Sequence, residues 1–257
     1  MPDRQIPLPH KSRGAGTPPM VLIHGFGGDR LAWNGIVKEL SRIARTIAVD
    51  LPGHGEAVDW PATPDAKACA EALAESLDAM EVPRATLVGH SMGGAVAGIV
   101  GILRPDLVER LVLLAPGGFG PEMNVPLLKR YTDMTEEDEI RTVLGEFLGS
   151  ASDMPEALPR LVAEQREDAR LRRSFADILG VITRGDGQGT LPLDQLAAAP
   201  FPTTLLWGTD DRVLPVRQAI EAPAVFARHL LPDVGHMPHM EAPDLVMGML
   251  ARTIRGR

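Results

Sequence analysis

The sequence contains little that would suggest a disulfide-linked, membrane-bound or nucleic-acid-binding protein. It has one cysteine in 257 residues, so no internal disulfide can form. No apolar run approaches the roughly 18 residues of a membrane-spanning helix, and residues 1–5 lack the apolar stretch of a signal peptide. Acidic side chains outnumber basic ones by 34 to 26, for a net charge of −8, which does not favour nucleic acid. We therefore expect a cytoplasmic protein that binds neither membranes nor nucleic acid.

What is present is the composition of an ordinary globular chain. Apolar residues make up 44% of the sequence and charged residues 23%. This length suffices for one large domain, or for one domain that carries an insertion. The single cysteine, Cys69, lies in an apparent amphipathic helix, and we interpret it as a small buried apolar residue rather than a catalytic thiol.

Short apolar runs alternate with helical patterns in the first half of the chain. The predicted strands are 20–24, 46–50, 85–89 and 111–115, and the predicted helices between them are 31–40, 64–80 and 92–103. Runs that are apolar throughout and separated by helices indicate a parallel sheet covered on both faces. The chain also allows a poor N-terminal antiparallel hairpin around residues 5–11.

The alternation stops after the fourth of these strands. Residues 117–200 have a helical pattern and no convincing strand. The strand pattern then returns, and we predict a strand at 204–207, a helix at 216–226, a weak strand at 228–231 and a final helix at 242–252. We interpret residues 1–116 and 201–257 as the core, and residues 117–200 as a helical cap over a binding cleft.

The strongest chemical signal is a G-x-S-x-G motif centred on Ser91. It follows a predicted strand and precedes a predicted helix, and a sharp turn at this point lifts a serine hydroxyl clear of the sheet. Small residues at Gly89 and Gly93 avoid clashes in such a turn, and Gly94 lets the helix start close by. We therefore predict Ser91 as a nucleophile.

A nucleophilic serine requires a base, and His236 is the candidate that we favour. It lies on a loop between the last predicted strand and the last predicted helix. His239 shares this loop and is the alternative, whereas His229 falls inside the strand. The pair of His236 and His239 could suggest a metal, but the sequence offers no third ligand.

The base requires a carboxylate that orients it, and two adjacent aspartates follow the strand at 204–207. We favour Asp211, which lies three residues after Gly208 and four before Pro215, and we keep Asp210 as the alternative. The negative charge that develops on the substrate oxygen needs two donors, for which we predict the backbone N–H groups of Phe26 and Met92.

Five motifs in this order resemble the α/β-hydrolase superfamily: 24–28 (His-Gly-Phe-Gly-Gly), 50–55 (Asp-Leu-Pro-Gly-His-Gly), 89–94 (Gly-His-Ser-Met-Gly-Gly), 208–215 and 235–241. The resemblance implies an α/β fold with a doubly wound, mostly parallel sheet, helices on both faces and a small helical cap inserted after the fourth strand. It also implies the chain order nucleophile, acid, base, which Ser91, Asp211 and His236 follow. We interpret His24 as a scaffold residue of its loop.

A closer resemblance is to the hydrolase-like domain of acetoin dehydrogenase acetyltransferase subunits, carried by residues 114–124 and 235–237. Those proteins carry a lipoyl domain ahead of this one. Only about 18 residues precede the first predicted strand here, so we expect no lipoyl domain. Haloalkane dehalogenases and epoxide hydrolases also resemble this chain, but they have aspartate where it has Ser91.

These observations predict a serine hydrolase that cleaves a small carboxylic ester, lactone or thioester through an acyl-enzyme. No metal or organic cofactor is implied, and the partner is a small-molecule substrate. Because aromatic residues are only 4% of the chain, we expect a pocket for a small or aliphatic acyl group. The alternatives are an acyltransferase with the same three residues, a hydrolase of C–C bonds of the meta-cleavage product type, and a non-catalytic binding protein. The sequence does not predict an oligomeric state.

Overall fold

The computed structural model describes residues 6–61 and 64–254, and they form an α/β architecture. The strands are β1 (His10–Arg13), β2 (Met20–Ile23), β3 (Thr46–Val49), β4 (Ala85–His90), β5 (Val108–Leu114), β6 (Thr183–Arg184), β7 (Gly187–Gln188), β8 (Thr203–Gly208) and β9 (Ala227–Leu231). The helices are α1 (Asn34–Leu40), α2 (Ala66–Ala79), α3 (Met92–Leu103), α4 (Val125–Asp133), α5 (Glu137–Gly145), α6 (Leu158–Arg166), α7 (Ala169–Ile182), α8 (Leu193–Ala197), α9 (Arg217–Glu221), α10 (Pro238–Glu241) and α11 (Pro243–Ile254).

Seven strands form one sheet, in the order β1-β3-β2-β4-β5-β8-β9. β1 is antiparallel to β3, and every other pair of neighbours is parallel. Parallel neighbours place their carboxyl ends at one edge, so the loops after β2, β4, β8 and β9 meet there. The predicted doubly wound, mostly parallel fold is confirmed.

The central strands of the sheet are buried on both faces because their side chains alternate between two apolar cores. In β2, Val21 and Ile23 belong to one core, whereas Met20 and Leu22 belong to the other. The first core includes side chains of α2 and α3, and the second includes side chains of α1 and α11. This alternation at a period of two residues explains why the central strands are apolar throughout.

The segment between β5 and β8, residues 117–200, holds α4 to α8 and the short hairpin of β6 and β7. We call it the cap segment. Within it, α4 contacts α5, α5 contacts α6, and α6 contacts α7. Apolar side chains on them, such as Leu127 and Phe175, join the first core rather than forming a separate one. The cap segment therefore packs continuously onto the sheet.

Three details of the secondary structure differ from the predictions. The N-terminal pairing is a single strand, β1, and Gln5 of the predicted hairpin lies outside the described residues. The helix predicted at 216–226 ends at Glu221, because Pro223 disfavours a helical conformation at the residue before it. The cap segment does contain strands, since a turn with φ of 58° at Gly185 pairs β6 with β7.

The helices also bear on two expectations drawn from composition. None of the helices within residues 6–61 and 64–254 is long and apolar enough to cross a membrane. Cys69 is fully buried in α2, and burial raises the pKa of its thiol to about 12. Such a thiol stays protonated and unreactive. The cytoplasmic location stays a prediction.

Candidate active site

Ser91 lies in the sharp turn between β4 and α3, in a conformation that few non-glycine residues adopt. Its φ is 53° and its ψ is −118°. The turn needs glycine on both sides, because an added Cβ at Gly89 would lie 2.3 Å from the Gly93 carbonyl oxygen. An added Cβ at Gly93 would lie 2.3 Å from the carbonyl oxygen of His24. The motif predicted this turn for these steric reasons.

The structure brings Ser91, His236 and Asp211 into one hydrogen-bonded chain. The Ser91 hydroxyl lies 3.0 Å from His236 Nε2, and His236 Nδ1 lies 2.8 Å from Asp211 Oδ2. A carboxylate has no proton to give, so Nδ1–H donates to Asp211 and leaves Nε2 to accept from the serine. His236 and Asp211 are buried, which shields this chain from water. The arrangement can transfer a proton from the serine to the imidazole.

The two adjacent aspartates have different surroundings. Asp211 Oδ1 accepts hydrogen bonds from the N–H groups of Val213 and Leu214, which leaves Oδ2 for His236. Asp210 points elsewhere and accepts from the backbone and hydroxyl of Ser150 in the cap segment. These hydrogen bonds from Ser150 lower the pKa of Asp210. The geometry therefore favours Asp211 over Asp210 as the orienting carboxylate.

The other two downstream histidines do not contact Ser91. His229 is exposed on β9. His239 is buried beneath the site, with its ring centroid 4.7 Å from that of Trp33 and 4.7 Å from that of His90. Burial lowers the pKa of His239 to about 3, so it stays neutral. The geometry therefore favours His236 over His239 as the base.

The loop after β2 places Phe26 beside Ser91. An added Cβ at Gly25 would lie 3.1 Å from the Ser91 Cβ, so the two loops touch. Within residues 6–61 and 64–254, the backbone N–H groups of Phe26 and Met92 have no hydrogen-bond acceptor. Met92 also begins α3, where the helix dipole favours negative charge. Both amides are available to a ligand oxygen.

Two buried histidines hold this loop in place. His24 Nε2 accepts from the N–H of Leu51, and its Nδ1–H donates to the Gly25 carbonyl. His54 accepts from the N–H of Gly27 in the same way. Burial lowers the pKa of both imidazoles, so both stay neutral and can accept these bonds. These contacts agree with the interpretation of His24 as a scaffold residue.

A cavity of about 300 Å³ opens above Ser91, between the sheet and the cap segment. Phe26 and Met92 line it at the serine, and mostly apolar side chains of the core and the cap segment form its wall, among them Ala95, Met123, Leu128, Ile182, Leu191 and Leu214. Lys67 and Arg184 are its cationic lining residues. Sequence reasoning did not identify this wall, because residues of the cap segment belong to no recognisable motif.

Gln188 of β7 is one lining residue that carries out a structural task. Its Oε1 accepts from the Gly118 N–H at 3.0 Å, and its Nε2 donates to the Gly120 carbonyl at 3.0 Å. The hairpin of β6 and β7 is thereby fixed to the loop that follows β5. In the part of the chain that the structure describes, no group of three histidine, cysteine, aspartate or glutamate side chains could hold a metal ion.

Comparison with known proteins identifies the family to which this fold belongs. Residues 20–248 match the model of the alpha/beta hydrolase family. Because this match covers most of the chain, the chain belongs to the alpha/beta hydrolase family. The resemblance inferred from the five motifs is confirmed.

Individual relatives share about 30% sequence identity with this chain. The chain is 30% identical over 250 residues to the dihydrolipoyllysine-residue acetyltransferase component of the acetoin cleaving system of Pseudomonas putida, covering 94% of this chain and 65% of that protein. The chain thus spans just under two thirds of that relative's length. It is also 30% identical over 226 residues to a 2-hydroxy-6-oxononadienedioate/2-hydroxy-6-oxononatrienedioate hydrolase of Burkholderia vietnamiensis, covering 82% of this chain and 77% of that protein.

Solved structures agree on the fold. A meta-cleavage product hydrolase from Pseudomonas fluorescens superposes with a TM-score of 0.85 at 21% sequence identity, covering 96% of this chain and 93% of that one. At this identity the likeness shows the fold alone. The family match agrees with the predicted hydrolase class.

Proposed function

We propose that the protein is a serine hydrolase that cleaves a small carboxylic ester, lactone or thioester in two steps. Ser91 is the nucleophile, His236 the general base and acid, and Asp211 the carboxylate that orients His236. The observation that carries the proposal is the continuous chain of hydrogen bonds at 3.0 Å and 2.8 Å from Ser91 to Asp211. It ends at a hydroxyl in the wall of a cavity that could hold the substrate.

In the first step, the Ser91 oxygen attacks the substrate carbonyl while its proton moves to His236 Nε2. The carbonyl oxygen becomes an oxyanion, which the free N–H groups of Phe26 and Met92 bind. A single donor of this kind typically contributes about 3–4 kcal/mol of transition-state stabilisation. The C–O or C–S bond to the leaving group then breaks, the protonated His236 gives its proton to the departing oxygen or sulfur, and the acyl group stays on Ser91.

In the second step, water replaces the leaving group. His236 Nε2 removes a proton from the water, and the water oxygen attacks the acyl carbon. The bond from this carbon to Ser91 Oγ then breaks, His236 returns the proton to Ser91 Oγ, and the carboxylic acid leaves. Asp211 stabilises the imidazolium each time it forms, and its own hydrogen bonds to Val213 and Leu214 hold it in place. His236 accepts and returns the proton in both steps of this scheme.

The cavity supports a substrate with a small acyl group. Its volume is about 300 Å³, at the lower end of the range for small-molecule sites, and its wall is mostly apolar. An aliphatic acyl chain could pack against Met123, Leu128 and Leu191. A long chain would have to extend out of the cleft into water.

Two other reactions have support from relatives. The similarity to a 2-hydroxy-6-oxononadienedioate hydrolase favours cleavage of a C–C bond as a second candidate. The similarity to an acetyltransferase component favours transfer of the acyl group to an alcohol or thiol instead of water. Both would use Ser91 and His236, so only the substrate and the acceptor separate them from ester hydrolysis.

The test is a series of p-nitrophenyl esters from acetate to octanoate, with Ser91→Ala as the background control. We expect kcat/KM to be highest for the short esters and to fall with chain length as the cavity fills. Ser91→Ala should lower kcat by a factor on the order of 10⁵ to 10⁶, because the nucleophile acts as a unit with its base. A folded wild-type protein that turns over no ester would contradict the proposal and shift support to C–C hydrolysis.

A further inference from the structure

The backbone on both sides of His236 is held by a single carboxylate, that of Glu241. Its Oε1 accepts from the Met237 N–H at 2.9 Å, and its Oε2 accepts from the Gly235 N–H at 2.9 Å. The N–H of His236 itself donates to the Phe147 carbonyl at 2.7 Å. Three consecutive amides are therefore fixed, two by Glu241 and one by the cap segment.

The same carboxylate also binds the cap segment. Glu241 Oε2 accepts from the Gly149 N–H at 2.7 Å and from the Ser152 hydroxyl at 2.6 Å. Glu241 ends α10 and lies on the core side of the cleft. One side chain thus joins the loop that carries His236 to residues 149–152 of the cap segment.

The backbone of the cap segment touches that of the His236 loop, and only glycine leaves room for this close approach. An added Cβ at Gly149 would lie 2.1 Å from the Asp233 carbonyl oxygen, and one at Gly235 would lie 2.4 Å from the Phe147 carbonyl oxygen. These contacts involve backbone atoms that cannot swing away. The carboxylate and the close approach of the backbones are two independent observations, and both place the cap segment directly against the His236 loop.

The charge of Glu241 suits this role. A carboxylate accepts several hydrogen bonds at each oxygen, and bonds from neutral donors to a charged acceptor are roughly twice as strong as neutral ones. No ion pair recorded among residues 6–61 and 64–254 involves Glu241. Its two carboxylate oxygens instead accept hydrogen bonds from backbone amides and one hydroxyl. A glutamine would put an NH₂ group against at least one of these donors.

We propose that Glu241 is a positioning residue for His236, and that the cap segment at residues 147–152 takes part in this positioning. This inference rests on the proposed role of His236 as the base. It has a consequence for the cap segment: this end of it cannot move away from the core without releasing the His236 loop. The cap segment then controls proton transfer as well as the shape of the cavity.

The test compares Glu241→Gln with the wild type by the rate at which a fluorophosphonate probe labels Ser91. This probe reports the reactivity of the serine whatever the natural substrate is. We expect the maximal labelling rate to fall about 10- to 100-fold, the cost of misplacing a catalytic group by up to roughly 1 Å. The probe concentration for half-maximal labelling should change little, because the cavity itself is intact. The NMR signal of the His236 Nδ1 proton should also shift or broaden.

The matched control is Glu122→Gln. Glu122 also joins the cap segment to the core, through an ion pair with Arg217 and hydrogen bonds from Gln218, but it does not touch the His236 loop. We expect its labelling rate to stay within about twofold of wild type, because an exposed ion pair of this kind contributes little. An equal loss in both variants would show a general effect of cap docking and would overturn the proposal.

The remaining outcomes also decide the matter. Equal labelling of Glu241→Gln and wild type overturns the positioning role and leaves the proposed function standing, whereas a wild type that does not label at Ser91 contradicts the proposed function itself. If Glu241→Gln does not fold, Glu241→Asp is measured in its place, since it keeps the charge and retracts both oxygens. Slow labelling of folded Glu241→Asp supports the proposal, and wild-type labelling or failure of both variants to fold overturns it.

Discussion

Ser91 has a strained backbone and an accessible hydroxyl. A positive φ in a non-glycine residue adds backbone strain on the order of 1–3 kcal/mol, which contacts with the surrounding structure must offset. The Ser91 N–H donates to the Leu114 carbonyl at 3.0 Å, and the Ser91 carbonyl accepts from Gly94, Ala95 and Gly117. The hydrogen bonds of β5 and α3 thus hold the residue where its side chain faces the cavity.

The adjacent aspartates give a matched test of which carboxylate matters. Asp211→Asn should lower kcat by about 10⁴, because an amide at this position favours the wrong imidazole tautomer. Asp210→Asn should leave kcat close to wild type, because the Asp210 side chain accepts its hydrogen bonds within residues 6–61 and 64–254 from Ser150 and the neighbouring Thr209 rather than from His236. Steady-state turnover of p-nitrophenyl acetate measures both. A greater loss in Asp210→Asn would reverse the assignment.

At the scale of elements, the predictions were right where the sequence pattern of a few residues determines the structure of those same residues. β2, β3 and β4 are buried throughout, as are residues 111–114 of β5 and most of β8, and their mostly apolar sequences show it directly. The turn at Ser91 was predictable because sterics alone require Gly89 and Gly93. The hairpin of β6 and β7 was missed because strands of two residues have no periodicity to read.

Two glycine-to-alanine changes test the steric account of the turn. Gly93→Ala should destabilise the protein strongly and abolish turnover, since the new Cβ would press on the carbonyl oxygens of Ile23 and His24 at 2.4 Å and 2.3 Å. Gly248→Ala in α11 is the control, because an added Cβ there meets nothing within 4 Å. It should stabilise the protein by about 0.5–1 kcal/mol. Urea unfolding measures both, and a folded, active Gly93→Ala would contradict the account.

At the scale of the whole molecule, the site is assembled from loops that are far apart in the sequence. Motifs predicted Ser91, His236 and Asp211 individually, because each motif records its own local geometry. They could not predict the wall of the cavity or the role of Glu241. Those features arise from contacts between distant positions, such as the 92 positions that separate Gly149 and Glu241, and no local pattern encodes which cap residue meets which loop.

Four buried histidines make the stability of the whole molecule depend on pH. Burial lowers the pKa of His24, His54, His90 and His239, the last to about 3. Below a pH of about 6.5 the unfolded chain binds protons that the native chain does not, so stability falls as the pH falls. A group that stays neutral in the native chain adds a slope that approaches about 1.4 kcal/mol per pH unit once the pH is well below its unfolded pKa.

His239→Phe isolates one of these groups, since it removes the titration and keeps a ring against Trp33. The free energy of unfolding, measured in urea from pH 7 to pH 5, should depend less steeply on pH in this variant than in the wild type. The difference in slope should be small near pH 7 and approach about 1.4 kcal/mol per pH unit near pH 5. An unchanged slope would show that His239 is not the neutral buried group described above.

The central claim is that Ser91 forms a covalent acyl intermediate with the help of His236. The most direct measurement is mass spectrometry of the protein quenched within one turnover of p-nitrophenyl acetate, followed by mapping of the modified peptide. We expect one acetyl group per chain, on the peptide that contains Ser91, and none in Ser91→Ala. Turnover without acetylation, or acetylation at another residue, would contradict the account.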